Sequence, residues 1–167
     1  MEEVASEIRK FIETAFAGVR LDGGVSLKQA IAIDNYMEGV TEEEFAEYPN
    51  TELIDDWIRI PYDHLEPDPC ISHFDAKGFR YYIPRLMLSV LDKYDPGSMR
   101  VIGTIQALYP KKEYWEYHMK RYSELNDDQK YAIAKYVEVL PSFINLDYDD
   151  RTCMQRALVK YWSQYIN

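Results

Sequence analysis

The sequence predicts a mainly α-helical fold, an irregular bundle of about six to eight helices with at most a short β-hairpin or strand near residues 79–83. Three observations carry that prediction. Apolar residues recur at offsets of three and four through most of the chain, which stacks them on one face of a helix. Capping signatures precede several of those runs, notably Thr41 with Glu44 and Asn126 with Gln129. Between Phe79 and Ile83 alone the spacing drops to two, the signature of a short half-buried strand. A length of 167 residues with 47% hydrophobic and 14% aromatic content fits a single globular domain, 1–167. A chain of this size buries roughly 70% of the surface it exposes when unfolded.

In chain order, Val4, Ile8, Phe11, Ile12, Ala15 and Phe16 place one apolar stripe on a first helix, Glu2 to Phe16, which Gly18 and Gly23-Gly24 end. Ser26 reads as the N-cap of a second helix, Leu27 to Met37. The Thr41 capping box opens a short helix, Glu42 to Tyr48, that Pro49 should end. A helical turn through Leu53, Ile54, Trp57 and Ile58 makes Trp57 an anchor onto the core. Pro61 to Pro69 holds three prolines and three acids in nine residues and reads as a surface loop. Asp75 to Gly78 reads as a tight turn, followed by the strand pattern and by Pro84 at the first position of the next helix. That helix carries Leu86, Met87, Val90, Leu91 and Tyr94, and Asp95-Pro96-Gly97 closes it. Met99 to Tyr109, behind a Ser98 cap, is open between helix and strand, because its helical spacing competes with β-branched Val101, Ile102, Thr104 and Ile105. A helix around Tyr114 to Tyr122 follows. Asn126 opens another from Asp127 to Leu140 that Pro141 should end, and a last helix runs from near Asp149 or Asp150 to Tyr165.

Charge is unevenly placed. From Glu38 to Asp75 there are 12 acids and a single cation, Arg59, a net of −11 against −10 for the whole chain. From Lys77 to Arg121 the balance reverses to 9 basic against 4 acidic residues. An acidic total with pI near 4.8 argues against nucleic-acid binding, which needs a basic stripe to replace counterions on phosphates. No apolar run approaches the ~20 residues of a membrane span, so no membrane association is expected. Two cysteines, Cys70 and Cys153, are too few for a disulfide framework, and the acidic start Met1-Glu2-Glu3 has no secretory character. A reducing cytoplasm is the expected setting.

Several stretches together resemble a known family: Ala15-Phe16-Ala17-Gly18-Val19, Ala30 to Ile33-Asp34-Asn35-Tyr36, Trp57-Ile58-Arg59-Ile60-Pro61, and Phe74-Asp75 to Gly78-Phe79-Arg80-Tyr81 with Pro84. The chain is similar across most of its length to an uncharacterised family of small bacterial proteins, a domain of unknown function. The resemblance implies no activity, cofactor or catalytic residue.

Candidate chemistry is sparse. Asp63, His64, Cys70, His73 and Asp75 are five potential metal ligands within thirteen residues, with His64, Cys70 and His73 the ones zinc would favour. The paired ligand modules of structural zinc sites are absent, so no metal or other cofactor is expected. Cys70 stands among acids, which raises a thiol pKa and argues against a nucleophile. No Gly-rich phosphate loop and no Gly-x-Ser-x-Gly elbow is present. Asp34 on an apolar helix, His73, Asp75 and Arg80 form a candidate ligand or turn site, with Arg80 able to pair with Asp75 or to hold an anion.

Two functions from different classes follow. In the first, Glu42, Glu43, Glu44, Glu47, Asp55, Asp56, Glu66 and Asp68 form an acidic face that docks, and neutralises or regulates, a basic protein partner, as an immunity-type protein would. In the second, the chain is a small hydrolase or ligand-binding domain with its site near His73, Asp75 and Arg80. The composition favours an interaction protein over an enzyme.

Overall fold

The computed structural model describes residues 2–52 and 55–167, so Leu53 and Ile54 of the expected Trp57 turn lie outside the described residues. Eight α-helices account for most of them, and none of the described residues forms a strand. They are α1 (Glu2–Ala15), α2 (Leu27–Asp34), α3 (Glu42–Thr51), α4 (Ala76–Asp92), α5 (Met99–Ala107), α6 (Trp115–Tyr122), α7 (Asp127–Phe143) and α8 (Tyr148–Lys160). Short 3-10 turns at Trp57–Arg59, Tyr62–Leu65, Ile71–His73, Lys112–Tyr114 and Trp162–Tyr165 link them.

The centre of the bundle is α4, which packs against α1, α5, α6 and the Trp57–Arg59 turn. Between Gly78 and Val90 only Arg80 and Arg85 escape full burial. Phe79 to Ile83 is helix and not the expected strand: the alternation of Arg80 and Tyr82 with apolar neighbours does not mark solvent, since Tyr82 is itself 3% exposed. Pro84 correspondingly lies inside α4 and not at its start, and the true start is Asp75, whose side chain caps Gly78. Pro49 and Pro141, which the sequence reading takes as helix ends, likewise lie within α3 and α7, which run on to Thr51 and Phe143. The open segment at Met99 is helix, capped by Ser98.

Other starts match their signatures. Ser26, Thr41 and Asn126 each accept from the backbone three residues on, and Gln29, Glu44 and Gln129 reach back to the caps. The last helix starts slightly earlier than expected, behind Asp147, and gives way to a 3-10 turn after Lys160. Helix α7 packs between α1 and α8, and Tyr94 ties α4 to α8 by donating to Asp150 Oδ2 at 2.7 Å. Trp57 is buried, and its Nε1 donates to the Phe16 carbonyl at 2.8 Å, which anchors the loop after α3 to α1.

One junction holds the start of α4 in place. Asp75 Oδ1 accepts from Gly78 N at 2.8 Å and from Val25 N at 2.9 Å, so one carboxylate oxygen caps α4 and grips the loop before α2. The two backbones touch: a Cβ on Gly78 would lie 2.5 Å from the Val25 carbonyl oxygen, and one on Gly24 would lie 2.6 Å from Gly78 N. Because the obstacles are backbone atoms, the neighbours cannot rotate away. Gly78→Ala should therefore lower stability by about 2 kcal/mol, the usual scale for overpacking, as read by the shift in urea midpoint; an unchanged midpoint would show that this junction yields.

Candidate functional site

Between the Ile71–His73 turn, α5 and α6 lies an open cavity of about 470 Å3, within the roughly 300–1,000 Å3 range of small-ligand sites. One wall comes from the Ile71–His73 turn, which packs against both α2 and α5. The opposite wall is Lys111 and the inner face of α6, where Tyr117, His118 and Arg121 fall together because they lie three and four residues apart. The Tyr117 hydroxyl joins the walls by donating to the Ser72 carbonyl.

Arg121 is the unusual group. It is 4% exposed, its Nη1 donates to the Tyr117 hydroxyl at 2.9 Å, and its Nε and Nη2 have no hydrogen-bond partner. The guanidinium lies against two rings, with Cζ 4.7 Å from the centroid of Phe79 and 5.0 Å from that of Tyr117. None of the described carboxylates forms an ion pair with it. Burial lowers its pKa, and only the Tyr117 and Tyr122 hydroxyls act the other way. Arg100 shows what a satisfied buried arginine looks like in the same protein. It is 1% exposed, yet Nε meets Glu66 at 2.7 Å, Nη1 meets Ser89 Oγ at 2.8 Å and Nη2 meets the Lys93 carbonyl at 2.8 Å.

His118 shares the basic wall. Burial pushes its pKa down to about 4, helped by the charges of Arg121 and then Lys111, with the Ala107 carbonyl opposing. The ring is therefore neutral near pH 7. Its Nδ1 is buried without a hydrogen-bond partner.

The other wall is acidic. Asp34 Oδ1 and His73 Nε2 are 3.0 Å apart, and Asp68 Oδ1 accepts from Cys70 N at 2.8 Å. Burial, and then Asp68 and Asp34, push the Cys70 thiol up to about 11, so it is not a nucleophile near neutral pH. Asp34, His73 and Cys70, all singled out in the sequence, thus meet beside the cavity. Asp75 and Arg80 do not join them. Asp75 Oδ1 is taken by backbone, while Arg80 Nη2 lies 3.5 Å from Asp22 Oδ2 and its Nη1 lies 3.9 Å from Glu124 Oε2. His64 lines a different cavity, of about 350 Å3, beside Ile60 and Tyr82. Among the described residues no three His, Cys, Asp or Glu side chains gather into a group that could hold a metal. Sequence reading missed Lys111, His118 and Arg121; the only signal was the excess of basic residues between Lys77 and Arg121.

The acidic residues divide into two kinds. Glu66 pairs with Arg100, Asp56 caps Ile58, Asp68 caps Cys70 and Glu44 completes the Thr41 capping box, so these serve the fold. Glu42, Glu43, Glu47 and Asp55 are exposed and form no ion pair with any described residue. No residue of α3 is buried.

Among known proteins, a family model matches residues 4–166, and the chain belongs to that family, described as a family of unknown function (DUF6714). No curated protein and no solved structure matches it. No helix among the described residues is long and apolar enough to cross a membrane.

The His118 environment gives a pH dependence. Its pKa is near 6.5 in the unfolded chain and about 4 in the folded one, so the unfolded state binds the extra proton first as pH falls. The associated stability is fully present above about pH 6.5 and is lost progressively toward pH 4, on the order of 3 kcal/mol in all. Between about pH 7.5 and pH 4.5, urea midpoints of His118→Gln should therefore fall less than those of the wild type. Equal losses in the two proteins would show that folding does not shift the His118 pKa.

Proposed function

We propose that this member of a family of unknown function is a ligand-binding domain for a small organic anion, held in the cavity between α6 and the Ile71–His73 turn, and that it works in the bacterial cytoplasm. The observation that carries the reading is Arg121, a buried cation with two unbonded nitrogens and no carboxylate beside it. Removing such a charge from water costs several kcal/mol even after relaxation. A buried lysine or histidine avoids that cost by losing its proton, but a guanidinium keeps its charge. Two ring faces and one neutral hydroxyl offset part of that cost, but they supply no opposite charge and leave two guanidinium nitrogens without a bond. An anion in the adjoining cavity supplies the missing charge, with Lys111 reinforcing it.

The free protein should then be strained by the residue that binds. Arg121→Met, of similar length and without charge, should fold at least as stably as the wild type and lose binding. Small carboxylates, N-acetyl-L-phenylalanine and phenylacetate among them, should raise the melting temperature of the wild type and leave that of Arg121→Met unmoved. If no carboxylate-bearing compound produces a shift that depends on Arg121, the anion-binding reading falls.

A second reading concerns the exterior. Helix α3 presents Glu42, Glu43 and Glu47 to solvent with no cation paired to them, next to a segment of strongly negative charge. Such a surface attracts a basic protein and speeds its encounter, in the manner of an immunity-type protein that neutralises or regulates its partner. Capture of a basic partner from the native cell should weaken at least tenfold when Glu42, Glu43 and Glu47 are changed to Lys, and should weaken with added salt. Capture unaffected by both changes removes this reading.

A further inference from the structure

The cavity carries charges of both signs, and they are segregated. Lys111, His118 and Arg121 stand on the α6 side, and Asp34 and Asp68 on the side of the Ile71–His73 turn. The two walls leave opposite marks on the groups embedded in them. On the first, positive neighbours help to hold His118 neutral; on the second, negative neighbours help to hold the Cys70 thiol protonated. Between them lie Met99, Ala107, Tyr109 and Tyr114, apolar or amphipathic surface suited to a hydrocarbon or aromatic body. Each acid has one oxygen already engaged, Asp34 by His73 and Asp68 by Cys70 N, which fixes their positions while leaving the second oxygen of Asp68 without a hydrogen bond to a described residue.

A compact anion alone fits these walls poorly. Phosphate placed against Arg121 would share the pocket with two carboxylates of its own sign, and like charges repel. A molecule with a negative and a positive end meets each wall with the complementary sign.

Resting on the anion-binding reading above, we propose that the ligand is a zwitterion of the amino-acid or dipeptide class. Its carboxylate lies toward Arg121 and Lys111, its ammonium toward Asp34 and Asp68, and its side chain against Met99, Tyr109 and Tyr114. His118 Nδ1, buried without a partner and one helical turn from Arg121, is a further polar group at the carboxylate end of the site.

The test is titration calorimetry of the full chain against matched probes. These are the aromatic and aliphatic amino acids and their dipeptides, the same compounds with the amine acetylated, the same with the carboxylate amidated, and inorganic phosphate. The zwitterions should bind at least tenfold more tightly than either blocked form and than phosphate. Amino acids tighter than dipeptides, or the reverse, fixes the spacing of the two charges. The double variant Asp34→Asn, Asp68→Asn keeps both local hydrogen-bond acceptors, and it should reduce zwitterion affinity to that of the acetylated compounds without changing the latter. Arg121→Met should lose every carboxylate, and Lys111→Met, at a partly exposed position, should weaken them all. Acetylated compounds that bind as tightly as zwitterions, with Arg121 still required, would overturn this proposal and leave the anion site standing, as would phosphate binding most tightly. No binding by any probe that responds to Arg121→Met and Lys111→Met would overturn both.

Discussion

A helix walled in on every side is the constraint from which the rest of this molecule follows. Once α4 is buried from Gly78 to Val90, save for Arg80 and Arg85, the other elements must cover it, and the N–H groups at its start need partners. Asp75 meets that need with one oxygen shared between Gly78 N and Val25 N. The same contact sets where α2 begins, because the loop it grips leads directly into the Ser26 cap. Tyr82, one turn further into α4, accepts from Leu27 N at 2.9 Å, and Glu52 accepts from Lys28 N at 2.5 Å. With Ser26 accepting from Gln29 N, the first three N–H groups of α2 are satisfied by side chains from three different parts of the chain.

The cavity is a consequence of this arrangement. The Ile71–His73 turn lies between the loop after α3 and the Asp75 cap, so fixing the cap fixes the turn, and the turn presents His73 to Asp34 and the Ser72 carbonyl to Tyr117. From the other side, Phe79 of α4 forms the floor on which the Arg121 guanidinium rests. Both walls are therefore referred to the first turns of α4. A site supported this way is positioned by the most deeply buried helix in the protein and not by a mobile loop.

Legibility in the sequence followed solvent contrast. Helices α1, α2, α3 and α7 could be read because each has a polar face or a capping pair, and Ser26, Thr41 and Asn126 bond as their spacing implies. The start of α4 could not, because buried Tyr82 reads as a polar position in an alternating pattern and Pro84 suggests a boundary where there is none. The site divides in the same way. Asp34, Cys70 and His73 stand out as polar residues in apolar or unusual company, and they do converge. Arg121 does not stand out: a Lys-Arg pair in the last turn of a helix is ordinary complement to its dipole, and nothing in the letters separates exposed Lys120 from buried Arg121.

The contrast between the two buried arginines bears most directly on function. Arg100 has a partner for each nitrogen and holds together the loop at Glu66, the end of α4 and the start of α5, so its burial is explained by the fold alone. Arg121 has equal burial and a single neutral hydrogen bond, and its ring contacts could be made equally well by a methionine. Natural proteins retain such unfavourable groups mainly where a site requires them, giving up stability that a simpler side chain would restore. The neutral His118 beside it supports the same view. If α6 had only to pack, a buried imidazole nitrogen without a partner next to an unpaired guanidinium would be two unmet polar groups with no return. Facing a cavity whose far wall is negative, the two groups instead form one end of a polarised chamber, and that polarity is a property of the folded chain before any ligand arrives.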